Sequence, residues 1–546
     1  MPRLRPAGIC RDLRQRSTTA LQGPPIETEA ARPVPFWDSL WKLAWAAAVV
    51  FIPWRLRFVL LARPFPPVYR DYTDLILFPS DIALIVALLA AAFGQLRAHR
   101  RLHLGPTILS VPLAGILLAG WLSIIPSYDR IGSFYHSVRL LLLAGMYLSL
   151  VNRPLSWRWV IVPVGIQAAI QGSVAIAQSL GQASVGLFSL GEYPLDPQWQ
   201  GISVVFADGV RVLRAYGLSD HPNILGGSFA LSSLILLAAS ARSKGNEQTW
   251  LVAASCLSLI GLLLTFSRAA ALALALGYLL LATGIERAMG RSSLPRLLHV
   301  TAAAALTLTP FILHFGSALS TRAGAGGSFE ANPLEARALA ERGALNRAAG
   351  QVFVENAPAG IGLGALPLAL RARFPEFPYF YQPAHFVLLD AAAETGLLGA
   401  TFYAAALLAP WIVVVSRWRQ GRLSPGLLAS SAALLVITWI GFFDYYPWLL
   451  QPGRLWQWAI WGIWAREVLR GPAPQPRLTS APTAPDLPPP QQTHDHPAPG
   501  EGGAQLDGRL IARIGREPSE GPAVGPGAPT VLPRNSSLQT PRGIDV

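Results

Sequence analysis

The sequence predicts an all-α protein that crosses a membrane about twelve times, and three observations carry that prediction. Only 14% of the 546 residues are charged, whereas soluble domains usually carry about 25%. Several apolar runs exceed the roughly 18 residues that mark a membrane-spanning helix. These runs are continuous, whereas the strands of a transmembrane β-barrel are short and alternate apolar with polar residues. The pattern therefore excludes a membrane β-barrel and favours a helical bundle.

The predicted helices follow the apolar runs, with polar or Pro-containing stretches between them. The first of them is interrupted by Pro53, Arg55 and Arg57. The predicted helices cover residues 39–60, 73–95, 106–125, 134–151, 157–180, 222–241, 249–266, 269–288, 297–316, 385–416, 425–443 and 447–469.

The loop charges predict the orientation of these helices. Five short loops on one side are basic, and cytoplasmic loops are the ones that carry an excess of Lys and Arg. Both termini are therefore expected in the cytoplasm. The same placement explains the net charge of +14 without nucleic-acid binding. The basic residues are Arg97, Arg100, Arg101, Arg153, Arg158, Arg242, Lys244, Arg287, Arg291, Arg296, Arg417, Arg419 and Arg422.

Composition divides the chain into a membrane domain and two tails. Residues 36–470 are predicted to form the membrane domain, with long outer segments at 181–221 and 317–384. The second segment contains a predicted surface helix at 332–354 and then a Gly-rich turn, so we expect an ordered cap on the outer face. The tails, 1–35 and the Pro-rich 471–546, are predicted to be disordered and cytoplasmic.

Three polar residues at helix edges fall on the predicted outer side: Arg214, Arg268 and His385. A guanidinium group is a rigid fork of donors that matches phosphate oxygens. A His at a helix N-terminus has its charged form disfavoured, which leaves a neutral imidazole as a general base. The alternatives are a surface Arg for Arg214, an Arg268 that extends to the headgroups, and a helix-capping His385.

Other residues are candidates for a supporting role at the same site. Arg211 and His221 flank the Arg214 segment, and Asn223 opens a predicted helix that Asp220 is expected to cap. Asp444 lies at the outer break between the last two helices. It is expected to orient His385 or to pair with an Arg.

The sequence offers no pattern for a metal or a nucleotide cofactor. It lacks an Asp-x-Asp motif and a GxxxxGK[ST] phosphate loop, and Cys10 and Cys256 have no metal spacing. Arg must therefore neutralise any bound diphosphate, which predicts chemistry without metal or cofactor.

Together these segments resemble the O-antigen ligase-like family of bacterial membrane glycosyltransferases, over about residues 200–465. One departure is Phe386, where many members have Asn directly after the His. The segments that carry the resemblance are Arg214-Ala215-Tyr216-Gly217, His221-Pro222-Asn223, Ser267-Arg268, Asn356-Ala357-Pro358 through Gly364, Ala384-His385 and Glu394-Thr395-Gly396-Leu397-Leu398-Gly399.

The resemblance implies a GT-C-like bundle of twelve helices in the bacterial cytoplasmic (inner) membrane. Members transfer a glycan from undecaprenyl diphosphate to a hydroxyl of a lipid, a glycan or a protein, in lipopolysaccharide and other cell-surface polysaccharide synthesis. By this likeness Arg214 and Arg268 would hold the diphosphate and His385 would activate the acceptor. The transfer would invert the anomeric centre.

A transporter or flippase of polyprenyl-linked sugars is the alternative class. Such a protein is expected to carry ionisable residues along both halves of a membrane pathway. Here the mid-helix positions are nearly free of charge, and the polar candidates cluster on one side. The sequence therefore favours chemistry at one membrane face.

Overall fold

Helices dominate the computed structural model, which describes residues 35–99, 101–153, 155–324 and 333–471. The two predicted tails lie outside the described residues, apart from Pro35 and Gly471. The described α-helices are α1 (Pro35–Val50), α2 (Pro79–Ala98), α3 (Thr107–Leu122), α4 (Arg130–Asn152), α5 (Arg158–Gly181), α6 (Pro222–Ser240), α7 (Gly245–Leu264), α8 (Arg268–Met289), α9 (Ser293–Leu306), α10 (Thr309–His314), α11 (Gly316–Ala323), α12 (Pro333–Asn356), α13 (Leu366–Arg373), α14 (Val387–Arg419), α15 (Pro425–Gly441) and α16 (Gln451–Arg470).

Two short antiparallel hairpins complete the described secondary structure. Strand β1 (Phe58–Leu61) pairs with β2 (Leu75–Leu77), and β3 (Val204–Ala207) pairs with β4 (Val210–Leu213). The second hairpin lies within the predicted outer segment 181–221.

Seven helices in the described part of the chain are long and apolar enough to cross a membrane: α2, α4, α5, α6, α7, α8 and α14. Helices α3 and α15 are apolar but shorter. The prediction of an all-α membrane protein is confirmed at this level. The count of twelve crossings stays a prediction.

The first predicted helix, 39–60, is wrong beyond Val50. Helix α1 ends there, and the chain is extended again by Phe58 in β1. Pro53 lacks the N–H that a helix would use. Arg55 then pairs with Asp220, with a distance of 3.0 Å between Nε and Oδ1. This ion pair holds the segment after α1 against the loop that precedes α6. A helix continued beyond Val50 would not place Arg55 there.

The single helix predicted at 297–316 is also wrong, because the chain forms α9, α10 and α11 there. Pro310 stands in the first turn of α10, where its missing N–H costs least. The predicted surface helix at 332–354 corresponds closely to α12. The outer segment 317–384 is thus partly helical, as expected.

Helix α6 lies at the centre of the bundle, since most of its residues are buried. It packs against α5, α7, α8 and α15. Gly227 allows a close approach, because a Cβ there would lie 1.8 Å from the Tyr446 hydroxyl. The first turn of α6 is thereby held next to the loop that follows α15.

A break inside α14 seats the Gly-rich turn of the outer segment. Gly396 has φ 66° and ψ −171°, which interrupts the helix. The freed N–H of Leu397 donates to the Ala357 carbonyl at 2.8 Å. Gly360 packs so closely that a Cβ there would lie 2.4 Å from the Glu394 carbonyl oxygen. This contact fixes the turn after α12 to the N-terminal part of α14. His385 lies just before that helix.

Candidate functional site

A small cleft, with an accessible volume of about 40 Å³, lies where the first turns of α6 and α8 meet the outer segment and the loop after α15. Charged and apolar side chains both line it, and Ile440 and Phe443 are among the apolar ones. The polar lining residues are Asn223, Ser267, Arg268, Arg322, Arg342, Asp444 and Tyr446. The sequence predicted three of these as candidates.

Arg214 is buried directly behind the cleft and is 6% exposed. Its Nε donates to the Thr265 carbonyl at 2.8 Å, and its Nη2 donates to Asn223 Oδ1 at 2.7 Å. Burial lowers the pKa of Arg214 to about 10, and nearby Arg342 and Arg268 act in the same direction. The guanidinium therefore stays charged at neutral pH. It is linked to the cleft by its hydrogen bond to Asn223, which is a lining residue.

Asn223 continues this chain of hydrogen bonds to Asp444. Its Nδ2 donates to Asp444 Oδ2 at 3.1 Å. The other carboxylate oxygen, Oδ1, lies 3.9 Å from His385 Nδ1 and accepts from the Tyr445 N–H at 3.0 Å. Asp444 thus lies near His385 and is linked to Arg214 only through the Asn223 amide, so its predicted role of orienting His385 or pairing with an Arg stays a prediction.

His385 lies two residues before α14 and is buried against Tyr445, with 5.2 Å between ring centroids. Burial lowers the pKa of His385 to about 4; Asp444 opposes the shift and Arg342 adds to it. The imidazole is therefore neutral at pH 7. Its backbone N–H donates to Asn346 Oδ1 at 2.8 Å. No hydrogen-bond partner of Nδ1 is found among the described residues.

Arg268 lies at the N-terminus of α8 and points towards the outer segment. Its Nη2 donates to Glu335 Oε2 at 2.8 Å, and its Nη1 donates to the Arg322 carbonyl at 3.2 Å. Arg322 also pairs with Glu335, through Nη1 and Oε1. Burial lowers the pKa of Arg322, and Arg214 and Arg268 add to that effect. One carboxylate thus bridges two guanidinium groups at the edge of the cleft.

Arg342 brings a further guanidinium to the cleft from α12. It has no salt bridge within 4.0 Å to any carboxylate in the described ranges. Its charge lowers the pKa of Arg214, Arg322 and His385. The described part of the cleft therefore presents cations that outnumber the two nearby carboxylates, Glu335 and Asp444.

Two predicted supporting residues, Arg211 and His221, have other contacts. Arg211 bonds the carbonyls of Pro197 and Trp199 and does not line the cleft. His221 contacts Ser203 Oγ at 2.9 Å through Nε2, and its Nδ1 accepts from the Asn223 N–H at 3.1 Å. His221 is therefore the cap of α6.

The expectation that Asp220 caps α6 is wrong. Its carboxylate is engaged by Arg55 at 3.0 Å and by Arg57 at 3.5 Å instead. Burial raises the pKa of Asp220 to about 6, and Arg57 opposes that shift.

Sequence reasoning missed Arg322, Arg342 and Asn346 as members of the site. Arg342 belongs to the predicted surface helix at 332–354. The spacing of charged residues in that helix does not show which of its turns faces the cleft. Asn346 contacts His385 from α12, whereas the resemblance placed an Asn at the position of Phe386. The ring of Phe386 packs on Phe442 instead, at 6.0 Å between centroids.

No cluster of three or more His, Cys, Asp or Glu side chains that could hold a metal ion occurs in the described part of the chain. The anion-binding groups that the cleft does provide are guanidinium groups.

Comparison with protein-family models and with curated proteins gives no match for this chain. The resemblance to the O-antigen ligase-like family therefore rests on the motifs quoted above and stays a prediction.

Proposed function

We propose that this protein transfers a glycan from undecaprenyl diphosphate to an acceptor hydroxyl at the outer face of the bacterial cytoplasmic membrane, as an O-antigen ligase or polymerase does. One observation carries the proposal. Arg268, Arg322 and Arg342 line a cleft together with Asp444, and Asp444 lies 3.9 Å from a largely buried, neutral His385.

The arginines suit the donor. A lipid diphosphate carries its charge on planar sets of oxygens, which guanidinium forks bind bidentately. Arg342 has no salt bridge to a described carboxylate, and Arg268 shares Glu335 with Arg322. These groups supply positive charge for the leaving diphosphate, so the proposed reaction needs no metal ion or other cofactor.

His385 suits the acceptor. In the proposed step its neutral imidazole takes the proton of the acceptor hydroxyl while that oxygen attacks the anomeric carbon. The bond from this carbon to the diphosphate breaks, and undecaprenyl diphosphate leaves with the electron pair. Asp444, 3.9 Å from Nδ1, stabilises the imidazolium that forms. Attack opposite the leaving group inverts the anomeric centre.

Transport of polyprenyl-linked sugars is a second candidate, and one observation favours it. Arg139 and Asp81 form a buried pair inside the bundle, with 3.1 Å between Nη2 and Oδ2. Ionisable residues at such positions often mark a transport pathway. Asp81 stands in the first turn of α2, however, so this pair does not by itself give a path across the bundle.

The test is a transfer assay with purified protein and a synthetic undecaprenyl diphosphate oligosaccharide. Lipid A core, a repeat-unit glycan and a protein are offered as separate acceptors. His385→Ala is expected to lose about 10²–10⁴-fold in rate, since that is the usual contribution of a general base. His314→Ala, at an exposed position outside the cleft, is the matched control.

The acceptor that receives the glycan identifies the reaction class. Full activity in His385→Ala would contradict the proposed base. Flipping of the lipid donor across vesicles, with no transfer to any acceptor, would instead support the transport alternative.

A further inference from the structure

A second cavity, with an accessible volume of about 260 Å³, lies at the opposite end of the helices that form the cleft. The cleft contains Asn223 at the start of α6, whereas this cavity contains Ala239 near the end of the same helix. About 24 Å of helix axis separates the two positions. The volume of this cavity is a little below the roughly 300–1,000 Å³ of a typical small-molecule pocket.

The walls of this cavity are almost entirely apolar. The lining includes small side chains, among them Ala238, Ala429 and Ala433. It also includes the large aromatic side chains of Trp45 and Trp157. Two serines also line it, and Ser430 donates its hydroxyl to the Gly426 carbonyl at 2.8 Å. Such a surface suits a hydrocarbon chain.

Arg242 is the charged residue of the lining. It is exposed, it follows the end of α6, and it has no salt bridge within 4.0 Å to a carboxylate in the part of the chain that is described. Lys244 stands next to it in a loop that the charge pattern predicts to be cytoplasmic. An apolar cavity with one guanidinium at its end complements a ligand with one anionic head and a long apolar tail.

We propose that the cavity holds an acyl chain of an anionic phospholipid whose phosphate binds Arg242. Apolar contact alone does not select a lipid inside a bilayer, because the surrounding tails are equally apolar. Arg242 must therefore provide the selectivity. Anionic lipids of the cytoplasmic leaflet attract basic residues near the surface. The lipid would bind here whether or not the cleft transfers a glycan.

The test measures lipid retention by native mass spectrometry. Full-length protein is exchanged into mixed micelles with equal amounts of phosphatidylglycerol and phosphatidylcholine. Arg242→Ala is compared with Arg97→Ala, because Arg97 is exposed at the end of α2, a helix that contributes no residue to the described lining. Ala433→Phe, which fills the cavity, is the second variant.

The expected result is selective retention of phosphatidylglycerol by the wild type and by Arg97→Ala. Retention should fall about fivefold in Arg242→Ala, as the loss of one basic contact predicts. Ala433→Phe should lose the bound lipid while keeping a wild-type elution volume. Equal retention by Arg242→Ala and Arg97→Ala would overturn the proposal, as would equal binding of phosphatidylcholine. Displacement of phosphatidylglycerol by equimolar undecaprenyl phosphate would overturn the choice of occupant.

Discussion

The side-chain amide of Asn223 donates to the carboxylate of Asp444 at 3.1 Å, which joins the first turn of α6 to the loop after α15. The same amide accepts from Arg214 at 2.7 Å. A residue first singled out as a supporting candidate thus connects the buried Arg214 to the carboxylate that faces His385.

Replacing Asn223 by Ala removes both hydrogen bonds. Arg214 is buried, so its Nη2 loses an acceptor that water cannot readily replace, at a cost of about 1–3 kcal/mol. We expect a lower thermal unfolding midpoint and slower glycan transfer. Asn152→Ala, which removes hydrogen bonds to the exposed His103 loop, is the control and should keep its activity. Unchanged stability and rate in Asn223→Ala would contradict the coupling.

The depressed pKa of His385 predicts an unusual acid limit of activity. The folded-state pKa is about 4, below the ordinary value of about 6.5, so the imidazole stays neutral as pH falls from 7 to 5.5. The rate should be nearly constant over that range, whereas an ordinary His would lose roughly tenfold. A pH profile of kcat/KM measures this.

Substitution of Arg342 tests one cause of the lowered pKa of His385. Removing this cation by Arg342→Gln raises the pKa of His385, so the acid limb of the profile should move to higher pH. Arg347→Gln, on the same helix, is the control. A profile with an inflection near pH 6.5 in the wild type would show that burial does not suppress protonation.

His385 also makes the free energy of unfolding depend on pH. The unfolded chain takes up a proton on this His near pH 6.5 and the folded chain does not until about pH 4. The stability that depends on a neutral His385 is therefore complete above pH 6.5 and is lost as pH falls towards 4. As pH falls over that range, the unfolding midpoint of the wild type should therefore fall relative to that of His385→Gln, whose side chain cannot be protonated.

Glu335 is expected to weaken anion binding, because it occupies Arg268 and Arg322. Glu335→Gln removes its negative charge and should tighten the binding of inorganic pyrophosphate several-fold, as measured by calorimetry. Glu355→Gln is the matched control, since Glu355 pairs with the exposed Arg373 away from the cleft. Equal affinities of the two variants would contradict this role.

Gly396→Ala should disrupt the packing of α14 against the turn that precedes α13. The residue has a positive φ of 66°, and a Cβ there would lie 2.8 Å from the Pro358 carbonyl oxygen. Strain and overlap together predict a loss of roughly 2–5 kcal/mol. Gly421→Ala also stands at a positive φ, of 65°, but has no atom within 4 Å of its Cβ. It should lower the unfolding midpoint much less; equal shifts would show that the packing contact is unimportant.

The local patterns predicted much of the architecture. The apolar runs located the long helices, and the charges around Arg337 and Glu341 indicated the surface helix that became α12. Predictions failed where a proline or a distant partner decided the outcome. Pro53 ends the first run, and Arg55 finds Asp220 from more than a hundred residues away.

The site was predicted in part for the same reason. Arg214, Arg268 and His385 stand at the ends of apolar runs, where a polar residue is conspicuous in a sequence. Arg322 and Arg342 lie among other polar residues of the outer segment, and only the packing of that segment against α8 brings them to the cleft. Asn346 has no sequence signal, because its contact with His385 depends on which face of α12 is turned inward.

Helix α6 carries Asn223 in its first turn and lines the apolar cavity with its last, and nearly every residue between them is buried. A packed helix moves as a rigid rod, so a ligand that displaces one end changes the geometry at the other. Thermodynamic linkage makes any such influence reciprocal. A lipid in the cavity and a ligand in the cleft would then alter each other's affinity along the length of one helix.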